Sequence, residues 1–287
     1  MESSAQAFLL ATQNTDGGWG YAPGAGSTVE ATSAVTLALA PADGAADAYR
    51  RGAAWLIWAQ HPDGGWGFTR DDGFSGWQSA WAVWALTKTA SGAAQAAHGA
   101  AWLLNVQLAR VETPEDVNWV QVTFGIDPSL RGWPWYPGEA SWVEPTALAL
   151  LALAPQAAVP AVAPRLDEAM RYLQDRRCQG GGWNVGNPVM FSRPLPARAC
   201  PTSWVLLAMA SVAPNAVQAD DLAVLRAEMH ADDGASALGW GLLALRTLGD
   251  DDPPAADRLR GRQAADGGWD ANPYHTAVAA MALQGHI

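Results

Sequence analysis

One seven-residue pattern recurs in the chain, and it constrains the fold more than any other feature. The pattern Gln-x-x-Asp-Gly-Gly-Trp reads "QNTDGGW" at 13–19, "QHPDGGW" at 60–66 and "QAADGGW" at 263–269. Self-similarity at a spacing of tens of residues is typical of repeat architectures, in which one structural unit recurs along the chain. The pattern therefore predicts a fold built from similar units that pack on one another.

Two kinds of helical segment alternate around these turns. Segments such as "DAYRRGAAWLIWAQ" and "LDEAMRYLQDRR" carry charge on one face and apolar residues at helical spacing, which predicts outer helices. Segments such as "VEATSAVTLALA" and "VEPTALALLALA" are apolar all round, which predicts helices buried on every side. Each unit thus consists of an outer helix, a glycine-rich turn, a loop and an inner helix, and the chain contains six such units.

Six helical hairpins predict an all-α fold, in which six inner and six outer helices form a closed α/α toroid. No unit can bury its inner helix alone, so we expect one domain over residues 1–287. An open superhelix is the alternative, but it would leave an inner helix exposed at each end. One longer stretch, residues 108–132, is polar and aromatic and contains proline. It predicts a loop insertion, which in repeat proteins often decorates the binding face.

The composition excludes several classes of function. The net charge is −11 and Lys88 is the only lysine, so no basic stripe is available for nucleic acid or for an anionic membrane surface. Prolines at 155, 160 and 164 interrupt the longest apolar run, which argues against a membrane span. Two cysteines and an N-terminus without signal-peptide features lead us to expect a cytoplasmic protein.

The repeated turn resembles the QW motif of squalene–hopene and oxidosqualene cyclases. Their superfamily includes class II diterpene cyclases and the β subunits of protein prenyltransferases. The resemblance covers the whole chain as one toroid, whereas squalene–hopene cyclases have two. It implies that the turn fastens the repeats, with Gln13 bonded to the backbone of a neighbouring helix end and Trp19 packed against an adjacent repeat. It says little about the reaction, because the same toroid hosts several chemistries.

The resemblance also implies that the N-termini of the inner helices surround one mouth of a central cavity. Aligned on their Leu-Ala-Leu ends, the inner helices agree in structure but differ chemically at their first positions. Function is therefore expected at this mouth. The first positions are Glu30, Trp77, Glu144, Cys200, Ser236 and Tyr274.

Two of these residues resemble the acid of class II cyclases. In those enzymes the middle Asp of Asp-x-Asp-Asp-Thr-Ala protonates an alkene or epoxide, which requires a carboxyl kept neutral. The segments "TVEATSA" and "WVEPTAL" place Glu30 and Glu144 on that Asp, although both flanking Asp positions are missing. The alternative is that each Glu only stabilises the first turn of its helix.

A second resemblance is to the zinc site of protein prenyltransferases, which consists of Asp, Cys and His. The segment "YHTAVAAMAL" places His275 on the His ligand, and "DDGASALGW" places Asp232 or Asp233 on the Asp ligand. The Cys ligand falls on Gly234 or Ala235, so we predict no metal unless Cys200 substitutes for it. Transferase or other lyase and isomerase chemistry at Asp233, His275 and Cys200 is therefore an alternative function.

Aromatic residues dominate the inner helices. Aromatic faces stabilise cations by about 0.5–2 kcal/mol per contact, which suits a polyprenyl chain and any carbocation formed from it. We therefore predict an isoprenoid or lipid ligand and acid-initiated carbocation chemistry, without a cofactor. A non-catalytic lipid- or peptide-binding toroid, or aromatics that merely fill the core, remain alternatives. The predicted substrate-binding residues are Trp77, Trp81, Trp142, Cys200, Trp204, Trp240 and Tyr274.

Overall fold

The computed structural model describes residues 3–40 and 42–285, and within these residues the fold is all-α, as predicted. A two-stranded antiparallel hairpin, β1 (Val189–Met190) and β2 (Arg193–Pro194), is the sheet in this part of the chain. The α-helices are α1 (Ser3–Ala11), α2 (Val29–Leu39), α3 (Ala46–Trp58), α4 (Gln78–Thr87), α5 (Ala93–Asn105), α6 (Pro114–Phe124), α7 (Val143–Leu153), α8 (Ala163–Asp175), α9 (Ala199–Val212), α10 (Ala219–Ala231), α11 (Ala235–Thr247), α12 (Pro253–Gly261) and α13 (Pro273–Gln284).

The inner helices contact one another in a cyclic order. Helix α2 contacts α4, and the contacts continue through α7, α9 and α11 to α13, which in turn contacts α2. In α2 and α7 every residue is buried except Glu30 and Glu144. Because these helices are apolar on all faces, burial on all sides is the arrangement that removes the most apolar surface from water. Within the described residues, no helix combines the length and apolarity needed to cross a bilayer.

The repeated turn connects consecutive outer helices, which confirms the predicted fastening role. The side-chain Nε2 of Gln13 donates to the carbonyl of Gly17 at 2.7 Å and to that of Ala48, in the first turn of α3, at 2.9 Å. The indole Nε1 of Trp19 donates to the carbonyl of Leu9 in α1 at 2.8 Å. The turn therefore satisfies carbonyls at the end of one outer helix and at the start of the next.

The same turn is also bonded to the inner helix that follows it. A hydroxyl at the third position of the inner helix accepts the backbone N–H of the turn tryptophan, at 2.8–2.9 Å in five units. These hydroxyls are therefore committed to the fold and are not free for chemistry. The pairs are Trp19 with Thr32, Trp66 with Ser79, Trp133 with Thr146, Trp183 with Thr202 and Trp269 with Thr276.

Glycines of the outer helices make room for the turn tryptophans. A Cβ atom at Gly52 would lie 2.8 Å from the ring of Trp19 and 2.6 Å from Thr36 Oγ1. We expect Gly52→Ala to lower the free energy of unfolding by about 1–3 kcal/mol, because buried atoms must shift to admit the methyl group. The measurement is urea denaturation.

Gly261 is the matched control, since it also lies in an outer helix but has open space around its Cβ position. Gly261→Ala is expected to be neutral or stabilising by up to about 1 kcal/mol. Equal effects of the two substitutions would contradict the close packing of Trp19 on α3.

The insertion at 108–132 was predicted to be a loop. In the structure it also contains the helix α6. The Thr113 side chain caps this helix by accepting the backbone N–H of Asp116 at 3.1 Å, Pro114 occupies its first turn, and Gly125 ends it with φ 66°. Only Thr123 is buried in α6, so the helix has no apolar stripe that periodicity would reveal. Its capping residues, "TPED" and the glycine, are the signal that identifies it.

Candidate functional site

Glu30 lies in the first turn of α2 but does not cap the helix. The cap is Thr28, whose hydroxyl accepts the backbone N–H of Ala31 at 3.3 Å. The Glu30 carboxylate instead accepts a short hydrogen bond from the hydroxyl of Tyr21, which lies in the loop before α2. The side chain is therefore held by tertiary contacts at the mouth of the inner helices.

Burial raises the pKa of Glu30 to about 7. Hydrogen bonds from Tyr21 and Tyr274 lower the pKa of Glu30, and the Trp81 indole lowers it further. The negative charge of Glu144 raises it. Trp81 Nε1 is buried without a hydrogen-bond partner among the described residues, so the Trp81 indole acts on the Glu30 carboxyl through its dipole. A carboxyl with this pKa is largely neutral in mildly acidic solution and can act as an acid near neutral pH.

The two phenols beside Glu30 remain protonated donors at neutral pH. Burial, together with the nearby Glu30 carboxylate, raises the pKa of both Tyr21 and Tyr274. The hydroxyl of Tyr274 also accepts a hydrogen bond from Trp240 Nε1 at 3.1 Å. Since both tyrosines stay neutral, Glu30 is the group in this cluster that changes charge around pH 7.

Glu144 and Cys200 lie near each other, in the first turns of α7 and α9. Burial raises the pKa of Glu144, and burial raises that of Cys200 to about 11, with the negative charges of Glu144 and Asp232 adding to the effect. The Cys200 Sγ lies 3.8 Å from Ser236 Oγ. Cys200 is therefore a neutral thiol, and a thiolate ligand or nucleophile is disfavoured at this position.

The inner-helix aromatics pack on one another. The ring centroids of Trp204 and Trp240 are 4.7 Å apart, those of Trp81 and Trp204 are 5.2 Å apart, and those of Trp81 and Tyr274 are 6.0 Å apart. All four side chains are buried. Their edge-on and tilted contacts are the favourable geometries for aromatic pairs, so they form a packed cluster, of which Trp81 and Tyr274 lie beside Glu30.

Two further predicted substrate-binding residues lie apart from this cluster. Trp77, at the start of α4, packs edge-on against Trp135 with a centroid distance of 5.0 Å. Trp142 precedes α7 and lies in a cleft on the side of α6. The predicted aromatic residues therefore lie in three places: the packed cluster, the contact of Trp77 with Trp135, and the cleft at Trp142.

His275 and Asp233 each have a separate partner. The His275 Nδ1 lies 2.9 Å from Asp270 Oδ2, and the exposed Asp233 accepts a hydrogen bond from Arg258 at 2.7 Å. Among the described residues, no group of three or more His, Cys, Asp or Glu side chains is placed to hold a metal ion. The structure therefore does not bring Asp233, His275 and Cys200 together as ligands.

Sequence reasoning missed Tyr21, although a signal was present. An aromatic residue follows the turn tryptophan by two positions in three units, as Tyr21, Phe68 and Trp135. The carbonyl of Phe68 accepts the backbone N–H of Val29 at 3.0 Å, and that of Trp135 accepts the N–H of Trp77 at 2.9 Å. This offset therefore places an aromatic ring beside the start of the preceding inner helix.

A concave site lies beneath α6, apart from Glu30. Residues of α6, the loops around it and the end of α8 enclose a cavity of about 610 Å³. This volume falls within the range of small-molecule sites in proteins. Its walls are Leu108, Ala109, Arg110, Val111, Val120, Phe124, Ile126, Pro128, Ser129, Leu130, Arg131, Ala140, Ser141, Trp142, Tyr172, Arg176, Gly186 and Asn187.

Comparisons with known proteins support the fold alone. No protein-family model matches the chain, and no curated protein matches it. A novel alpha-amylase from Clostridium perfringens is similar with TM-score 0.69 and 12% identity over 99% of each chain. A protein from Actinoplanes has TM-score 0.62 and 18% identity over 99% of this chain and 98% of its own.

A type II terpene cyclase from Scytonema, MstE, in complex with geranylgeranyl dihydroxybenzoate, has TM-score 0.45 and 18% identity over 98% of this chain and 94% of its own. No function follows from these likenesses, because one fold hosts several chemistries.

The raised pKa of Glu30 predicts a pH-dependent stability. Its ordinary value is 4.5 and its value in the folded protein is about 7, so the folded state holds the proton more tightly than the unfolded state. The free energy of unfolding should therefore fall as the pH rises from about 4.5 to about 7, by at most about 3 kcal/mol from this group. Urea denaturation at pH 5 and at pH 8 measures the change.

Glu30→Gln should lose this part of the pH dependence, because the amide does not titrate in this range. The matched control is Glu139→Gln, at an exposed position, which should retain the dependence of the unchanged protein. Identical pH dependence in all three proteins would show that Glu30 titrates at its ordinary value.

Proposed function

We propose that the chain forms a single closed α/α toroid of six hairpins over residues 1–287 and acts as a cytoplasmic terpene-cyclase-like enzyme. The cyclic order of contacts from α2 through α13 and back to α2 supports the closed arrangement. The QW-like turns support the superfamily. The reaction is acid-initiated carbocation chemistry on an isoprenoid or polyprenyl substrate, and it requires no cofactor.

The burial of Glu30 beside the hydroxyls of Tyr21 and Tyr274 is the observation that carries this proposal. Protonating an alkene requires an acid that stays protonated near neutral pH and is shielded from water, and burial gives Glu30 a pKa of about 7. Glu30 donates the proton, while the hydroxyls of Tyr21 and Tyr274 stabilise the carboxylate that remains. Glu144 is the second carboxyl of the mouth and raises the pKa of Glu30 by its charge.

The aromatic cluster supplies the surface on which positive charge develops. Trp81, which lies beside Glu30, packs with Trp204 and Trp240, and their faces can stabilise a cation by about 0.5–2 kcal/mol per contact. Because these rings also pack on each other, the substrate alkene has to lie at the mouth over Glu30 or displace a ring. Trp77 flanks this mouth at the start of α4, whereas Trp142, which precedes α7, lines the separate cleft beneath α6.

The test is incubation of the purified chain with linear prenyl substrates of different lengths, followed by mass spectrometry and NMR of the extracted lipid. Conversion to cyclic isomers of unchanged mass, or to their hydrates, is expected. Recovery of every substrate unchanged after prolonged incubation would overturn the catalytic proposal.

The second candidate is a non-catalytic lipid-binding toroid, and the mutual packing of the aromatic cluster favours it. A lumen filled by Trp81, Trp204, Trp240 and Tyr274 offers little room for a folded polyprenyl chain. A lipid that co-purifies with the chain and emerges chemically unchanged supports this candidate. Prenyltransferase-like chemistry at Asp233, His275 and Cys200 is less well supported, since each of these side chains has its own separate partner.

A further inference from the structure

We propose that the cleft beneath α6 binds a single-chain amphiphile with an anionic head, such as a fatty acid. This site is separate from the mouth at Glu30, and the proposal does not depend on acid chemistry there. It rests on the shape of the cleft, on its charge and on the way α6 is attached.

The cleft has an apolar wall of the right size for a chain. Val120 and Phe124 of α6 face Leu108, Ile126 and Leu130 across a cavity of about 610 Å³. Ligand sites of this volume bury most of a small molecule and are lined mainly by apolar side chains with a few polar groups. An alkyl or prenyl chain can therefore leave water here without displacing the core.

The charged side chains that line the cleft are arginines, although the protein as a whole is acidic. The chain carries −11, yet the cleft is lined by Arg110, Arg131 and Arg176 and by no Asp or Glu. Arg131 and Arg176 are paired with Glu168 and Asp175, so Arg110 is the arginine whose charge can attract an anion and orient it. Arginine is also the side chain best suited to a planar carboxylate or a phosphate, which it can bind through two parallel hydrogen bonds.

The three arginines differ in how far they are already neutralised. Arg176 is only 5% exposed; its guanidinium lies over the ring of Tyr172, and its carboxylate partner Asp175 also accepts the backbone N–H of Asp127 at 3.1 Å. Arg131 is paired with Glu168 by hydrogen bonds of 2.7 and 2.9 Å.

Arg110 is exposed, and no hydrogen bond or ion pair occupies it among the described residues. An anionic ligand in the cleft can therefore bind the unpaired Arg110 and the buried Arg176, whose partner Asp175 also accepts the N–H of Asp127.

Helix α6 is attached to the body of the protein by few contacts of its own. Only Thr123 is buried, and the carbonyl of Thr123 accepts the backbone N–H of Phe191, in the β1–β2 turn, at 2.9 Å. Trp119 and Val122, which do not line the cleft, are 56% and 68% exposed, and the Trp119 ring packs edge-on against that of Phe124. A chain in the cleft adds apolar contacts to Val120 and Phe124, so ligand binding should stabilise α6.

The test uses laurate as the probe and isothermal titration calorimetry with the full chain. Val120→Asp is expected to weaken laurate binding at least about tenfold, because it places a carboxylate on the apolar wall. Val122→Asp is the matched control on the same helix, since Val122 does not line the cleft, and it should leave the affinity within about twofold.

The charge is tested separately. Arg110→Glu should weaken laurate binding about tenfold, while Arg50→Glu on the exposed face of α3 should not change it. Dodecanol, which has the same chain and no charge, should bind more weakly than laurate to the unchanged protein. Equal affinities for laurate and dodecanol would overturn the anionic part of the proposal.

Two further measurements separate this site from the mouth. Laurate should slow backbone hydrogen exchange in residues 114–124, and Glu30→Gln should bind laurate as the unchanged protein does. Loss of laurate binding in Glu30→Gln, or equal binding by Val120→Asp and Val122→Asp, would place the ligand elsewhere and refute the proposal. The absence of any laurate binding to the unchanged protein would refute it directly.

Discussion

Replacing Glu30 with Gln is expected to reduce turnover of an isoprenoid substrate by at least about 10²-fold. General acid catalysis contributes about 10²–10⁴-fold, and the amide retains the size of the side chain while it has no proton to give to an alkene. The measurement is product formation per enzyme at saturating substrate, for whichever prenyl substrate the unchanged protein converts.

The pH dependence of turnover by the unchanged protein should also show that Glu30 is the acid. The acid is competent only while protonated, so turnover should fall as the pH rises through about 7, the pKa that burial gives Glu30. Glu144→Gln removes a negative charge near Glu30, so it should lower the pKa of Glu30 and shift this fall to lower pH.

The matched control is Glu139→Gln, which changes an exposed carboxyl and should leave both rate and profile unaltered. Full turnover in Glu30→Gln would remove Glu30 from the chemistry.

The second large effect is expected from the turn tryptophans. Trp66 is fully buried, its Nε1 donates to the carbonyl of Leu56 at 2.8 Å, and its backbone N–H donates to Ser79 Oγ at 2.8 Å. Trp66→Ala should lower the free energy of unfolding by about 3–5 kcal/mol, because the cavity adds to the lost burial and the carbonyl loses its donor. Urea or thermal denaturation measures the loss.

Trp119→Ala provides the comparison, because this side chain is 56% exposed on α6. Its effect should stay within about 1 kcal/mol, because its ring contact is the edge-on packing against Phe124 at a centroid distance of 5.4 Å. Trp66→Phe should lie between the two, since it retains most of the apolar area and loses the indole N–H. A loss of less than about 1 kcal/mol in Trp66→Ala would show that the turn does not hold neighbouring units together.

Several parts of the candidate site were predictable from residues near each other in the chain. Glu30 and Glu144 could be placed in the first turns of buried helices, because each precedes a long apolar segment in the same register. The effect of Glu144 on Glu30, and the raised pKa of Glu30, were not predictable in this way. Both depend on Tyr21, Tyr274 and the opposing helix, which the fold brings together from distant segments.

Periodicity and spacing alone determined that the chain is helical and that it repeats, and the resemblance to the QW motif implied that Gln13 and Trp19 belong to a fastening turn. These properties follow from hydrogen bonds and apolar faces within one unit or between consecutive units. Only the tertiary structure decided that Trp81, Trp204 and Trp240 pack on each other, that His275 pairs with Asp270, and that α6 encloses a cleft.

The tryptophan packing and the cleft arise where side chains from different units compete for the same space, and the burial that raises the pKa of Glu30 depends on the outcome of that competition.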